Sequence, residues 1–272
     1  MKAKTIKAII SKKIKSWIDS IEDPALALLL QRDTIVTGGC IASMLLGEQV
    51  NDYDIYFRTK ETTLAVANYY TARFQIKKKS GIECGISVRD NGGRIEIIIK
   101  SAGIASEDAA AKPYEYFEGQ ADESKAAGYI SEVMQDPGAI EDRYEETERA
   151  VLVEEKDSKP AYRPVFLSTN AITLSGKIQL ILRFYGDPEE IHKNYDYIHC
   201  TNVWTSSDGK LTLSADSMES LLSRELRYVG SKYPICSLIR MRKFITRGWT
   251  INAGQIVKMV MQISQLDLTS VE

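Results

Sequence analysis

Apolar residues in the first thirty positions recur at helical spacing. Ile6, Ile9, Ile10, Ile14, Trp17 and Ile21 share one side of a helix expected over residues 5–30. The opposite face carries Lys7, Lys12, Lys13 and Lys15, either as a solvated surface or as a phosphate-contacting one. A short strand over Thr34 to Thr37 breaks at Gly38-Gly39, and a helix from about Ile41 to Leu46 ends at Gly47. The β-rich run Asp54 to Phe57 precedes a helix over Glu61 to Phe74. Strands are expected at Cys84 to Val88 and, past the Asn91-Gly92-Gly93 turn, at Arg94 to Ile99.

Residues 102–160 break this pattern. They are rich in Ala, Glu and Asp, poor in large aliphatics, and their acids outnumber their bases more than twofold. We expect an exposed insertion here. Regular patterning resumes at Val165, with a helix expected around Leu174 to Phe184 and β-rich runs at Tyr195 to Trp204 and Lys210 to Leu213. From about Ser217 to Gln265 the chain reads as mainly helical, with a Gly-Trp break at 248–249. The fold class expected is α+β: a mixed-sheet head flanked by helices over residues 1–216, then a helical neck over 217–272.

Composition excludes little. The chain has 272 residues, 44% hydrophobic and 26% charged, with a net charge of −2, so any polyanion site must be a local patch. Its longest apolar runs fall well short of the roughly 20 residues that cross a bilayer, and a secretion signal is not expected, because Met1 to Lys7 begins with lysines and lacks an apolar core. Cys40, Cys84, Cys200 and Cys236 lie far apart, without a CxxC pair. A reduced, cytoplasmic setting without a membrane partner is the expectation.

Candidate chemistry concentrates at Thr37-Gly38-Gly39-Cys40 followed by Asp52-Tyr53-Asp54-Ile55. A glycine pair between strand and helix lets backbone N–H groups approach a triphosphate, and the helix N-terminus favours its charge. Carboxylates two residues apart on a strand point to one face and can share Mg²⁺ or Mn²⁺. Glu96, an acid in the otherwise apolar run Ile95 to Ile99, is the candidate third carboxylate; Asp196 is the alternative. Taken singly, these features are ordinary. A Gly-Gly turn is common, Asn51-Asp52 suits a turn, and Glu96 suits an edge strand. Their order along the chain is what points to nucleotide transfer.

The run Gly38 to Gly47 with Asp52-Tyr53-Asp54 resembles the opening of class II CCA-adding enzymes and bacterial poly(A) polymerases, of the polymerase-β-like superfamily. Glu96 matches that family's hydrophobic-Glu-hydrophobic strand, and Ser168-Thr169-Asn170-Ala171-Ile172 resembles its Phe-Thr-Ile-Asn-Ala segment. Leu226 to Gly230 and Leu238 to Phe244, ending at Gly248 to Ile251, resemble its helical neck. The resemblance implies a nucleotidyltransferase that moves an NMP from an NTP to a hydroxyl and releases pyrophosphate. Asp52, Asp54 and Glu96 would be its catalytic metal ligands. Gly38, Gly39 and Cys40 would hold the nucleotide, with cations of the neck such as Arg227, Arg240 and Lys243 on its phosphates. An RNA 3′ end, tRNA-like, is the acceptor it points to; a protein or small-molecule acceptor and a non-catalytic nucleotide- or RNA-binding module are the other readings.

Departures from the family bear on specificity. Its Arg-Asp after the glycines is Ala42-Ser43, and its Arg-Arg-Asp falls on Pro164-Val165-Phe166. Its base-reading Glu-Asp-x-x-Arg falls on Tyr233-Pro234-Ile235-Cys236-Ser237, so synthesis of a CCA end is not expected. The segment Ile191 to Cys200 holds both histidines of the chain. A zinc site at His199-Cys200 is not expected, because adjacent strand residues face opposite ways and further ligands are missing.

Overall fold

In the computed structural model, the described residues are 1–76, 86–98, 104–105 and 162–266. Along the chain they form α1 (Ala3–Ile18), α2 (Pro24–Asp33), β1 (Thr34–Thr37), α3 (Gly39–Leu46), β2 (Tyr53–Phe57) and α4 (Lys60–Ile76). Strands β3 (Ser87–Asp90), β4 (Ile95–Ile98), β5 (Ile104–Ala105), β6 (Pro164–Leu167), β7 (Ala171–Leu174) and β8 (Ile178–Tyr185) follow. Then come α5 (Pro188–His192), a 3₁₀ turn (Ile198–Cys200), β9 (Val203–Thr205), β10 (Leu211–Thr212), α6 (Ala215–Ser223) and β11 (Glu225–Leu226). Helix α7 (Pro234–Thr246), β12 (Thr250–Ile251) and α8 (Ala253–Ser264) complete the order. The protein is α+β, as expected. The acidic stretch 102–160 lies outside the described residues except for β5.

Two compact units emerge, one of Met1–Thr63 with Phe184–Asp267 and one of Leu64–Arg183. In the first, β10, β9, β1 and β2 pair antiparallel in that order, with Val36 opposite both Ile55 and Trp204. All four residues of β1 are buried. Helix α1 buries Ile6, Ile10, Ile14, Trp17 and Ile18. The single helix expected over 5–30 is in fact two. Asp23 accepts hydrogen bonds from the N–H groups of Ala25 and Leu26, and Pro24 follows it as the first helical residue, so a new helix starts there. The chain beyond residue 215 is mainly helical, as expected, with α6, α7 and α8 around an apolar cluster of Tyr197, Leu221, Tyr228, Trp249 and Met259.

The second unit contains the antiparallel run β7, β6, β5, with β8 paired to β7, and the separate hairpin β3–β4. The helix expected at Leu174 to Phe184 is a correction: the structure has a hairpin, β7 and β8, turning at Ser175-Gly176-Lys177. Ile178, Leu180 and Leu182 are fully buried while Gln179 and Ile181 are only partly so, which is alternation of period two. The run expected as strand at Tyr195 to Trp204 is mostly turn, with only Val203–Thr205 joining the sheet.

Candidate functional site

The glycine bend follows directly from strand β1. Gly38 has φ 92° and ψ −154°, a conformation closed to side-chain-bearing residues, and serves as the N-cap of α3. At the other end Gly47 (φ 76°) closes the helix, with the Glu48 N–H donating to the Ser43 carbonyl at 2.8 Å. The Gly38 N–H donates to the Cys200 carbonyl at 3.1 Å, which ties the bend to the 3₁₀ turn.

Strand β2 brings the acids to this bend. Its register sets Thr34 against Phe57, Ile35 against Tyr56 and Val36 against Ile55, so one step further Thr37 faces Asp54. A Cβ added to Gly38 would stand 2.9 Å from the Asp54 Oδ2 and 3.4 Å from the Tyr195 hydroxyl, whereas one added to Gly39 would meet nothing within 4 Å. The glycine at 38 therefore makes room for Asp54, and the one at 39 leaves open space. Asp52 is exposed at the mouth of the strand, and Asp54 is half-buried.

The two acids act on each other electrostatically. Burial, and then the charge of Asp52, push the Asp54 carboxyl well above the usual carboxylate range. The buried Cys40 thiol is pushed up by burial and by the charges of Asp54 and Asp52. Gly38 is in close contact with Asp54, and the charge of Asp52 is felt at both Asp54 and Cys40. Such a pair of crowded carboxylates beside a gap suits a hard divalent cation, which would take oxygen donors from both and relieve their repulsion.

The remaining candidates sit as follows. Asp196 is ion-paired with Arg240 at 2.7 Å, and its charge reaches the Cys200 thiol, as does that of Asp54. Arg227 grips Glu219 through two contacts, 3.0 and 2.7 Å. Lys243 is half-buried on α7. Glu96 belongs to the second unit, where it is buried on β4 opposite Arg89 and paired with Arg94. Among the described residues, no three His, Cys, Asp or Glu side chains form a metal-holding cluster. Nor is any described helix long and apolar enough to cross a membrane.

Sequence reasoning gave His192, Tyr195 and Tyr56 no place at the bend. The Thr37 hydroxyl lies 2.8 Å from His192 Nε2 and donates to the Asn202 carbonyl at 2.8 Å. Burial lowers the His192 pKa, so its ring stays neutral at pH 7. The ring of Tyr195 packs against those of His192 and Tyr56, at 5.2 and 6.2 Å between centroids. Only the clustering of polar and aromatic residues in Ile191 to Cys200 marked that segment in advance.

Comparison with known proteins places the chain. A solved Thermotoga maritima CCA-adding enzyme complexed with tRNA is similar at 11% identity and a TM-score of 0.43, over 93% of this chain and 45% of that one. A Bacillus stearothermophilus CCA-adding enzyme in complex with CTP is similar at 14% identity and 0.36, over 84% and 40%. At that distance the likeness says nothing about chemistry, and the chain spans less than half the length of either enzyme. Gabija anti-defense 2 of Bacillus phage SPbetaL7 is 26% identical over 98 residues, which are 35% of this chain and 24% of the phage protein. The model of the Gabija anti-defense 2 family matches residues 8–224. With most of its length inside that match, the chain belongs to the Gabija anti-defense 2 family.

Proposed function

We propose that this protein is a metal-dependent nucleotidyltransferase, moving an NMP from an NTP to a hydroxyl with release of pyrophosphate. The observation that carries the reading is the Gly38 bend lying over Asp54 with the Asp52 charge beside it. The triphosphate would lie along the open Gly39 backbone and the N-terminus of α3, where N–H groups and the helix dipole favour anions. The acceptor oxygen attacks the α-phosphorus, the bond from that phosphorus to the bridging oxygen breaks, and pyrophosphate leaves with the electron pair. Asp52 and Asp54 would hold Mg²⁺ or Mn²⁺, which when bound offsets phosphate charge and activates the attacking hydroxyl. The carboxylate nearest the acceptor takes up its proton. Arg240, Arg227 and Lys243 would serve the phosphates by leaving their present contacts, a modest cost because the Arg227 and Arg240 pairs are partly exposed.

For the acceptor, the anti-defense description of the family favours a component of the Gabija defence over a tRNA-like 3′ end. The test is incubation of the purified protein with Mg²⁺, each α-labelled NTP, and separate protein and RNA fractions from cells that carry that defence. Label on a protein, lost in Asp54→Ala, is the expected result. Label confined to RNA would overturn the acceptor and keep the reaction; no transfer from any NTP would overturn the reaction itself. Glu96→Gln and Asp196→Asn in the same assay report whether transfer needs either acid.

A further inference from the structure

Helix α5 is one and a half turns long, and the chain leaving it is pinned before it reaches Tyr195. The Asn194 side chain donates to the carbonyls of Glu190 and Ile191, at 3.2 and 3.3 Å, and the Tyr195 N–H donates to the His192 carbonyl at 3.0 Å. His192 is itself fastened to the end of β1. The Thr37 hydroxyl has a single proton, which goes to the Asn202 carbonyl; towards His192 it must therefore accept, and the imidazole proton is assigned to Nε2. The Tyr195 ring is thus wedged against His192 and Tyr56 with its hydroxyl facing the Gly38 Cα.

That hydroxyl is buried and has no hydrogen bond of good geometry, although the hydroxyls of Tyr56 and Thr37 lie close enough to interact with it. Leaving such a group unpaired is unfavourable, so a buried orphan calls for an explanation. Three groups lie near it: the hydroxyls of Thr37 and Tyr56, and the Asp54 carboxylate. Thr37 is already engaged at two partners, and a carboxylate is a stronger acceptor than a phenol. The absent side chain of Gly38 leaves the gap that Asp54 and Tyr195 flank.

We infer that Tyr195 is a positioning residue for Asp54: when a cation is bound between Asp52 and Asp54, its hydroxyl turns to donate to the Asp54 carboxylate and fixes which oxygen faces the cation. The inference rests on the cation-binding role proposed for the two aspartates. Groups that orient a ligating carboxylate matter nearly as much as the ligand, and their removal weakens metal binding by about 10–100-fold. No proton changes owner in this role.

Tyr195→Phe tests it, because the ring and its packing stay and only the hydroxyl goes. Mn²⁺ alone, titrated by calorimetry or by its EPR signal at a temperature where all variants are folded, is the probe. The expected result is about tenfold weaker Mn²⁺ binding with a metal-free Tm close to or above that of the unaltered protein, since the hydroxyl has no well-formed bond to lose. Unchanged Mn²⁺ affinity in Tyr195→Phe, with binding abolished in Asp54→Ala, would overturn the positioning role and leave the aspartates' role intact. So would a lowered Tm at unchanged affinity, the mark of a purely structural side chain. If the unaltered protein binds no Mn²⁺, both readings fail.

Discussion

Gly38 and Gly39 are neighbours with opposite reasons for lacking a side chain, and substituting each by alanine separates folding from binding. At Gly38 an alanine would have to hold φ near 92° with ψ near −154°, a region that costs a non-glycine residue about 1–3 kcal/mol. Its Cβ would also stand 2.9 Å from the Asp54 Oδ2, so the carboxylate must swing away. Gly38→Ala should therefore lower Tm, by about 2–4 °C per kcal/mol for a chain of this size, and weaken cation binding as well. Gly39→Ala adds a methyl group that meets no protein atom within 4 Å at the first position of a helix. Its stability should be unchanged or slightly higher, because alanine favours helix over glycine. A ligand whose phosphates lie against that backbone would still be held off, with a loss of at least about tenfold, or 1.4 kcal/mol. Differential scanning calorimetry and titration with Mg²⁺ and a non-hydrolysable NTP measure the two effects independently. The reasoning is refuted if Gly38→Ala is as stable as the parent, or if Gly39→Ala binds the NTP unchanged.

Two further outcomes concern stability. His199 is buried among Tyr197, Phe244 and Trp249 with both ring nitrogens unpartnered, and burial lowers its pKa to about 4. Between about pH 6.5 and 4 the unfolded chain takes up a proton that the folded one refuses, so stability falls as pH falls, by up to about 3 kcal/mol. Denaturant melts across that range should show the drop, and His199→Phe should flatten it; an unchanged slope would contradict the assignment. Asp33, also buried, accepts from Arg32 at 2.8 Å, from Thr59 at 2.9 Å and from Thr62 at 2.5 Å. Although burial pushes its pKa up, these donors hold it below the usual value. Asp33→Ala removes the acceptor of the fully buried Thr62 hydroxyl, which keeps only its contact with the Thr59 hydroxyl, and should cost about 1–3 kcal/mol by urea unfolding, with no direct effect on Mn²⁺ binding.

The glycine bend was legible in the sequence because it follows a local rule, and the same kind of rule is what singled out the two aspartates. Glycine is favoured at the Gly38 backbone angles, and residues two apart on a strand share a face, although β2 begins only at Tyr53, one residue past Asp52. Helix α3 with its Gly47 stop, and the helices beyond residue 215, follow from the same short-range signals. The β7–β8 hairpin was misread for a physical reason. Alternating residues are also four apart, so Leu174, Ile178 and Leu182 satisfy helical spacing as well as strand spacing. Tertiary structure alone broke that tie, by burying one face and placing a turn between the two halves. Long-range contacts also decided what surrounds the acids. Arg240 meets Asp196 across 44 positions, and His192 reaches Thr37 across 155. Nothing in the local pattern specifies such pairings, because the packing of separate elements brings those side chains together and sets which polar groups are satisfied and which, like the Tyr195 hydroxyl, are left over.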